Sequence, residues 1–418
     1  MLRPYFEYSI FGNGRSVLRP YIMLINHQET LNALCARWKS SRLPLAFDTE
    51  FISEKRYYAQ LCLVQVGSET QSGERIEALI DPFAVDLAPL LELLADETIE
   101  KIVHAGGQDL QIFQQNYGCI CRNVFDTQIA AAFLGYGHQA GLGDLVRRVV
   151  DGPQLSKKLQ FTDWAARPLS DEQMEYALDD IRFLPSMERK LRGDLESRGR
   201  LAWAQTEFLR AENKTSTRLG DNELFLKLNL SGLNRRELAV LRELAQTREE
   251  LARDIDKPPS FIVPDLSLLQ LAKHPPKNAQ ELRSTRGISG VSEKQSRAIT
   301  EAVARAAKLS DDELPTRDRN ERPDAQLDAV AGLLGVVANA RAADHDISRT
   351  YLVARDDLFQ LAAWWLRRDE SAPPEVPLLS DWRRELLGQE LLDLLDGKLS
   401  LVFDKTPNSP AIKVKREE

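Results

Sequence analysis

The chain has 418 residues, 43% of them apolar, and its 63 Asp and Glu against 55 Lys and Arg give a formal net charge of −8. This composition excludes disorder throughout, and no apolar run reaches the roughly 18–20 residues of a membrane helix. The acidic balance argues against a basic nucleic-acid coat protein. Four cysteines are too few for a disulfide framework, so we expect reduced thiols and a cytoplasmic protein of two or three domains.

Strand and helix patterns alternate in the first half of the chain. Residues 1–22 show little periodicity and are interpreted as an N-terminal extension. Leucine spacing predicts a helix over residues 87–94, and short apolar runs predict strands at residues 43–51, 60–66, 76–80 and 99–104. Hairpin-like strands followed by β–α units indicate an α/β domain with a mixed sheet and flanking helices, at residues 23–212.

Beyond about residue 200 the strand signals disappear and helical spacing dominates. Residues 254–272 align without a gap with residues 344–362, at an offset of 90. Chance similarity between two amphipathic helix pairs is the alternative, but we favour two copies of one small all-α domain. The predicted segments are a first copy at residues 213–309, a linker at 310–323, a second copy at 324–403 and a mobile polar tail at 404–418.

Two acids occupy one face of the first predicted long strand. Asp48 and Glu50 stand at positions i and i+2, and side chains in a strand alternate between faces, so both point the same way. Their repulsion would be offset by a cation bound through hard oxygen ligands. On these two residues alone, a solvated face is the simpler explanation.

Two more acids and a tyrosine follow at informative positions. Asp109 comes after a Gly-Gly turn, in the first turn of the next predicted helix, where the helix dipole favours an anion. Ser170 and Gln173 predict a capping box, and in the helix that follows Tyr176 and Asp180 share one face at a spacing of four. With no accompanying His or Cys cluster, these acids favour Mg²⁺ or Mn²⁺. Two such ions a few ångströms apart activate water and stabilise in-line phosphoryl displacement.

Three segments resemble the exonuclease motifs of the DEDD superfamily: Phe47-Asp-Thr-Glu-Phe51, His104-Ala-Gly-Gly-Gln-Asp-Leu110 and Glu175-Tyr-Ala-Leu-Asp-Asp180. The tyrosine four residues before the last acid is typical of the DEDDy branch. Residues 124–133 and 162–169 resemble the ribonuclease D family, and the helical repeats resemble its HRDC domains. The resemblance covers about residues 23–402 and implies a ribonuclease-H-like exonuclease domain followed by two small HRDC-like domains.

The resemblance implies a 3′→5′ exoribonuclease that releases nucleoside 5′-monophosphates. It implies two divalent ions, Mg²⁺ or Mn²⁺, with Asp48 bridging both, Glu50 and Asp180 completing the first site and Asp109 holding the second, partly through water. Tyr176 would orient the attacking water. The implied substrates are tRNA precursors and other small structured RNAs, and the family is typically monomeric.

Other residues are weaker candidates for substrate binding, namely His104, Gln65, Trp164, Arg167 and Lys157. We favour packing at a strand end for the histidine, structural hydrogen bonds near the site for the glutamine and a core position for the tryptophan. Asp126, in an Asp-Thr-Gln segment, is expected to support the helices of the metal site. In the helical half, phosphate contacts and a solvated face are equally open for Arg235, Arg236, Arg248 and Lys257.

Two alternative functions remain at this stage. The first is a DNA exonuclease with the same chemistry, although the sequence has no helicase P-loop and no polymerase domain. The second is a non-catalytic RNA-binding adaptor built on the helical pair, against which the intact acid set argues. If the second copy grips RNA, deletion of residues 310–418 should weaken binding of structured RNA more than binding of short single strands.

Overall fold

A computed structural model describes ten stretches of the chain: residues 24–70, 72–156, 158–160, 162–214, 220–285, 287–288, 290–315, 325–367, 372–404 and 412–416. The predicted N-terminal extension, most of the predicted linker and the candidate Lys157 lie outside the described residues. Among the described helices, none combines the length and the apolar character needed to cross a membrane.

One mixed sheet forms the centre of the first half of the chain. Its strands are β1 (Leu24–Ile25), β2 (Leu45–Ile52), β3 (Gln60–Glu69), β4 (Arg75–Ile80), β5 (Lys101–Val103) and β6 (Val124–Asp126). They lie in the order β1-β4-β3-β2-β5-β6. Strands β2, β3 and β4 pair antiparallel, whereas β1, β5 and β6 pair parallel with their neighbours, so the predicted mixed sheet is confirmed.

Helices cover both faces of this sheet. They are α1 (Gln28–Ser41), α2 (Ala88–Ala95), α3 (Gly107–Tyr117), α4 (Thr127–Ala132), α5 (Leu142–Val150), α6 (Asp171–Arg182), α7 (Leu184–Ser197) and α8 (Leu201–Lys214). The first three share a core with Phe47, and the other five share a core with Ala46. These two residues are neighbours on β2, and successive side chains of a strand point to opposite faces, so this strand contributes to both cores.

A separate helical region follows, whose core contains none of the sheet residues. It begins with a 3₁₀ helix, Asp221–Lys227, and continues through α9 (Arg235–Asp254), α10 (Pro259–Ile262), α11 (Asp265–Lys273), α12 (Ala279–Ser284) and α13 (Glu293–Ala307). Capping boxes at Asn234 and Ser292 begin its two longest helices. We call this part the first helical region.

The second helical region comprises α14 (Ala325–Asp344), α15 (Arg349–Leu352), α16 (Arg355–Arg367), a 3₁₀ turn (Pro377–Leu379), α17 (Asp381–Arg383), a π-helical turn (Arg384–Gly388) and α18 (Gln389–Leu395). Helices α14 and α15 repeat the bounds of α9 and α10 at an offset of 90, and α16 starts 90 residues after α11. Asp256 and Asp346, which follow the long helices, both have φ of 49°. The backbone of these three helices therefore repeats as the sequence predicted.

The second helical region shares one continuous core with the sheet domain. Leu334, Leu361 and Leu387 belong to the same buried cluster as Phe125 and Phe208. At the joint, the indole rings of Trp203 and Trp382 stack with centroids 5.2 Å apart. Arg383 lies beside them and forms a buried ion pair with Glu207 at 2.7 Å. Packing and a buried charge pair thus join this region to the exonuclease-like half.

A hairpin near the C-terminus corrects the prediction that no strands follow residue 200. Strands β7 (Leu399–Phe403) and β8 (Ile412–Arg416) pair antiparallel, with Leu401 opposite Val414. The prediction of a mobile tail was therefore wrong for residues 412–416. Ile412, Lys413, Val414 and Lys415 alternate between apolar and charged, which is a strand pattern. Four residues are too few to predict a strand without knowing its partner.

Candidate active site

Two elements bring three of the predicted acids together. Strand β2 carries Asp48 and Glu50, and helix α6 carries Tyr176 and Asp180 across the same face of the sheet. The helix begins at the predicted capping box, in which the Ser170 hydroxyl accepts from the N–H of Gln173. One carboxylate oxygen from each of Asp48, Glu50 and Asp180 lies within 4.8 Å of the others.

The fourth acid reaches the cluster from helix α3. Asp109 is 7% exposed and stands in the first turn of that helix, as predicted. Its Oδ1 accepts a hydrogen bond from the hydroxyl of Thr49, which stands between the two acids of β2. Asp109 is not one of the three acids with oxygens within 4.8 Å of one another, but its charge raises the pKa of Asp48 and of Glu50. Sequence reasoning missed Thr49, although its place within the first motif was a usable signal.

Burial is the main cause of raised pKa values throughout the cluster, and repulsion between the carboxylates adds to it. The pKa of Glu50 rises to about 9, that of Asp180 to about 7 and that of Asp109 to about 6. The pKa of Asp48 lies well above its ordinary value for the same reasons, burial first and then the charges of its neighbours. Burial and mutual repulsion therefore disfavour full ionisation of the cluster at neutral pH, and a bound cation would offset both.

Tyr176 lies beside these acids and remains a hydrogen-bond donor. Burial, followed by the charges of Asp180, Glu50 and Asp48, raises the pKa of its phenol far above the ordinary value. Its ring centroid lies 6.0 Å from that of Trp164. That tryptophan is 2% exposed, so the favoured core position is confirmed.

Gln65 is the cross-strand partner of Asp48, and the two face the same core. It is fully buried, yet neither its amide nitrogen nor its amide oxygen has a hydrogen-bond partner among the described residues. Buried polar groups nearly always have a hydrogen-bond partner. An unpaired amide beside Asp48 therefore indicates that a water molecule or a hydrated ion binds here. This amide and the all-oxygen donor set fit a hydrated Mg²⁺ or Mn²⁺ site.

Asp126 ties two elements of the site together, as expected. Its carboxylate accepts from the N–H groups of Gln128 at 2.8 Å and Ile129 at 3.3 Å, and so caps α4. The same carboxylate accepts from Ala105 and Gly106, each at 3.1 Å. This second pair fixes the turn from which α3 presents Asp109.

Two substrate-binding candidates are engaged by the protein itself. His104 is largely buried, its Nδ1 lies 2.9 Å from the hydroxyl of Thr127, and burial lowers its pKa to about 4. Arg167 donates to both oxygens of Asp81, at 2.7 and 2.9 Å, and to the carbonyl of Cys62 at 2.7 Å. These contacts position the segments around the site, and substrate binding by either side chain stays a prediction.

Three arginines for which phosphate contacts and a solvated face were equally open bond to other parts of the chain. Arg235 donates to the carbonyls of Asp311 and Leu314, and Arg236 donates to the carbonyl of Leu309. Arg248 bonds the carbonyl of Val263 and the carboxylate of Asp265. Lys257, by contrast, is exposed. Arg235 and Arg236 are exposed, so phosphate contact by them stays a prediction.

Comparison with known proteins agrees with this architecture. The family model described as 3′-5′ exonuclease matches residues 22–196, and the HRDC domain model matches residues 237–303. Ribonuclease D of Granulibacter bethesdensis is 36% identical over 390 residues, 92% of this chain and 95% of that protein. Ribonuclease D of Sphingobium indicum is 36% identical over 384 residues, 90% of this chain and 95% of that protein.

A solved structure gives the same result. The crystal structure of Escherichia coli RNase D, described as an exoribonuclease involved in structured RNA processing, is 31% identical with a TM-score of 0.78, covering 90% of this chain and 99% of that one. The fold, the acid cluster and the matching domain model define a 3′→5′ exonuclease with a C-terminal helical HRDC domain. The chain belongs to the ribonuclease D family and is a hydrolase of the exoribonuclease type.

Proposed function

We propose that this exoribonuclease trims the 3′ ends of tRNA precursors and other small structured RNAs, and that it releases nucleoside 5′-monophosphates. The observation that carries the proposal is the convergence of Asp48, Glu50 and Asp180, with one oxygen of each within 4.8 Å of the others. The description of E. coli RNase D as a processor of structured RNA supports the substrate class. We further propose that the protein acts as a monomer in the cytoplasm.

The proposed chemistry needs two divalent ions, Mg²⁺ or Mn²⁺, which when bound would supply a hydroxide nucleophile and stabilise the charge on the attacked phosphate and on the 3′ oxygen that leaves. Asp48, Glu50 and Asp180 would hold one ion, and Asp48 with Asp109 would hold the other. The protonated phenol of Tyr176 would donate its hydrogen to orient the attacking water. Thr49 keeps the Asp109 carboxylate in place through its hydrogen bond.

We propose that the second helical region is a second HRDC domain. Three helices with matching starts at an offset of 90, and an aspartate with φ of 49° at the same position of both copies, support this assignment. We take residues 23–212 as the catalytic domain and residues 213–309 and 324–403 as the two HRDC domains, joined by the linker at 310–323. In this arrangement the second copy shares the core of the catalytic domain, and we expect the first copy, whose core is separate, to contact RNA.

The direct test incubates the purified protein with a 5′-labelled tRNA precursor that carries a 3′ trailer, in the presence of Mg²⁺ or Mn²⁺. We expect stepwise shortening from the 3′ end, release of 5′-monophosphates and loss of activity with a chelator. A matched DNA oligomer distinguishes an RNA enzyme from a DNA exonuclease. Wild-type turnover by the Asp180→Asn variant would refute the assignment of the site.

A further inference from the structure

One carboxylate of the first helical region grips the loop that follows the metal-binding strand. Residues 53–59 connect β2 to β3. Oδ1 of Asp256 accepts from the backbone N–H groups of Tyr57 and Tyr58, each at 3.0 Å, and Oδ2 accepts from Nε of Arg56 at 2.9 Å. One side chain thus holds three consecutive residues of a loop about 200 positions away in the sequence.

Tyr57 extends the contact into the helical region. Its ring packs against the core of that region, its hydroxyl donates to Glu249, and it accepts from Nε of Arg253 at 3.0 Å. Both partners lie on α9, the long helix that ends just before Asp256. The first helical region therefore holds the loop in two ways: it bonds to the backbone of the loop, and its core packs against the ring of Tyr57.

The joint differs in kind from the joint of the second helical region. That region shares a continuous apolar core with the sheet domain, whereas the core of the first region is separate. An open cleft of about 280 Å³, lined by Arg56, Tyr58, Asn116, Tyr117 and Asp256 among others, lies beside the grip. Because the two cores are separate, the polar contacts of Asp256 and the packed ring of Tyr57 together fix this joint.

The loop is also close to the catalytic acids along the chain. Only Phe51 and Ile52 separate Glu50 from the loop, and the pairing of β2 with β3 shifts register between Glu50 and Phe51. Such an irregularity bends a strand and loosens its ladder locally. A displacement of the loop is therefore absorbed at this irregularity, and the metal-binding acids of the strand keep their geometry.

The internal repeat offers a matched control. Asp346 occupies the position of Asp256 in the second copy and has the same φ of 49°. It lies against Gly135, but its carboxylate makes no hydrogen bond with any residue in the described part of the chain. Replacing either aspartate by alanine strains the same left-handed backbone, so a difference between the two variants isolates the grip.

We propose that Asp256 is a positioning residue: it fixes the loop of residues 53–59 and thereby aligns the first helical region, and the RNA that this region carries, with the metal site. The alignment of RNA rests on the proposed function, whereas the grip on the loop does not. The exposed ion pair with Arg56 contributes little, since surface pairs are weak. The two hydrogen bonds from the backbone are the main contribution, because a charged acceptor strengthens them.

The first experiment needs no RNA. Hydrogen exchange at the amides of Tyr57 and Tyr58 is measured for the full-length wild type and for Asp256→Ala, Asp256→Asn and Asp346→Ala. Loss of a hydrogen bond to a charged acceptor should speed exchange in Asp256→Ala by about 10- to 100-fold. Asp256→Asn keeps a carbonyl oxygen for these amides and should restore most of the protection, and Asp346→Ala should match the wild type. Unchanged exchange in Asp256→Ala, or equal effects at both positions, overturns the proposal.

The second experiment separates alignment from chemistry. We expect Asp256→Ala to raise KM for a structured RNA about tenfold, which corresponds to the loss of one strong hydrogen bond. The kcat on a dinucleotide should stay unchanged. Tyr57→Phe, which retains the backbone contacts, should give a smaller rise and serves if Asp256→Ala folds poorly. An equal loss on both substrates overturns the alignment. Failure of the wild type on the structured RNA would refute the proposed function, while the exchange data still decide whether the grip exists.

Discussion

Replacement of Asp180 by asparagine should abolish hydrolysis and, without metal, make the protein more stable. The folded protein raises the pKa of this carboxyl group from 3.8 to about 7, through burial first and then through the charges of Asp179 and Asp109. The unfolded chain ionises it near 3.8. Stability is therefore lost as the pH rises from about 4 through 7, where the unfolded chain gives up a proton that the folded protein retains.

The size of the effect follows from the shift. Three pKa units correspond to roughly 4 kcal/mol, and because the four carboxyl groups share the repulsion, we expect a gain of about 1–4 kcal/mol at pH 7.5 in a chelator. Asparagine is close in shape and lacks the charge. A divalent cation stabilises the wild type by an amount that depends on its concentration relative to its Kd. A variant that lacks the Asp180 carboxylate binds the cation more weakly and loses most of this stabilisation. The order of stabilities should therefore approach equality or reverse when Mg²⁺ is added.

The assay is denaturant unfolding with and without Mg²⁺, alongside hydrolysis of a labelled RNA. Asp179→Asn is the neighbouring control, because Asp179 forms an ion pair with Arg182 at 2.7 Å and lies outside the group of three acids. We expect this control to keep its activity and its response to Mg²⁺. If Asp180→Asn is less stable than the wild type in chelator, or if Mg²⁺ stabilises both equally, the electrostatic account of the cluster is wrong.

Three further predictions concern the surroundings of the site. Tyr176→Phe removes the donor that orients water and should lower kcat by about 10²–10³ with little change in the unfolding midpoint, as steady-state kinetics and thermal melts would show. Arg383→Ala removes the buried partner of Glu207 and the donor to the carbonyl of Tyr351. Because Arg210 remains paired with Glu207 at 2.8 Å, the loss should be about 1–3 kcal/mol in denaturant unfolding. Burial holds the pKa of His104 at about 4, so this residue contributes up to roughly 3 kcal/mol of stability that is lost as the pH falls from 6.5 to 4, opposite in sign to the contribution of the acid cluster. His104→Asn should remove this component, which the difference between the pH profiles of wild-type and variant unfolding measures.

The parts of the site that were predictable depend on local periodicity. Asp48 and Glu50 share a face because strand side chains alternate, and Tyr176 and Asp180 share a face because a helix turns every 3.6 residues. Both patterns are complete within five residues of sequence. The capping box at Ser170 was equally local, and the structure contains it.

The parts that were missed depend on contacts between distant segments. The hydrogen bond from Thr49 to Asp109 joins positions 60 residues apart, and the grip of Asp256 on Tyr57 joins positions 199 apart. Arg235 lies on the surface, as a run of arginine and glutamate along a helix predicts, but its donation to the carbonyls of Asp311 and Leu314 was not predictable. No periodicity in one segment encodes the partner that a side chain meets in another.

The second helical region shares its core with the catalytic domain and the first does not, so different experiments are needed to measure their roles. Deletion of residues 310–418 would remove Leu334, Leu361 and Trp382 from the core that also contains Phe125 and Phe208. A deletion that opens such a core destabilises the catalytic domain itself, so equal loss of activity on structured and short RNA would follow whether or not the second copy touches RNA. The first copy has a core of its own and a polar joint, so its contribution is measurable by single substitutions at that joint while the metal site stays intact.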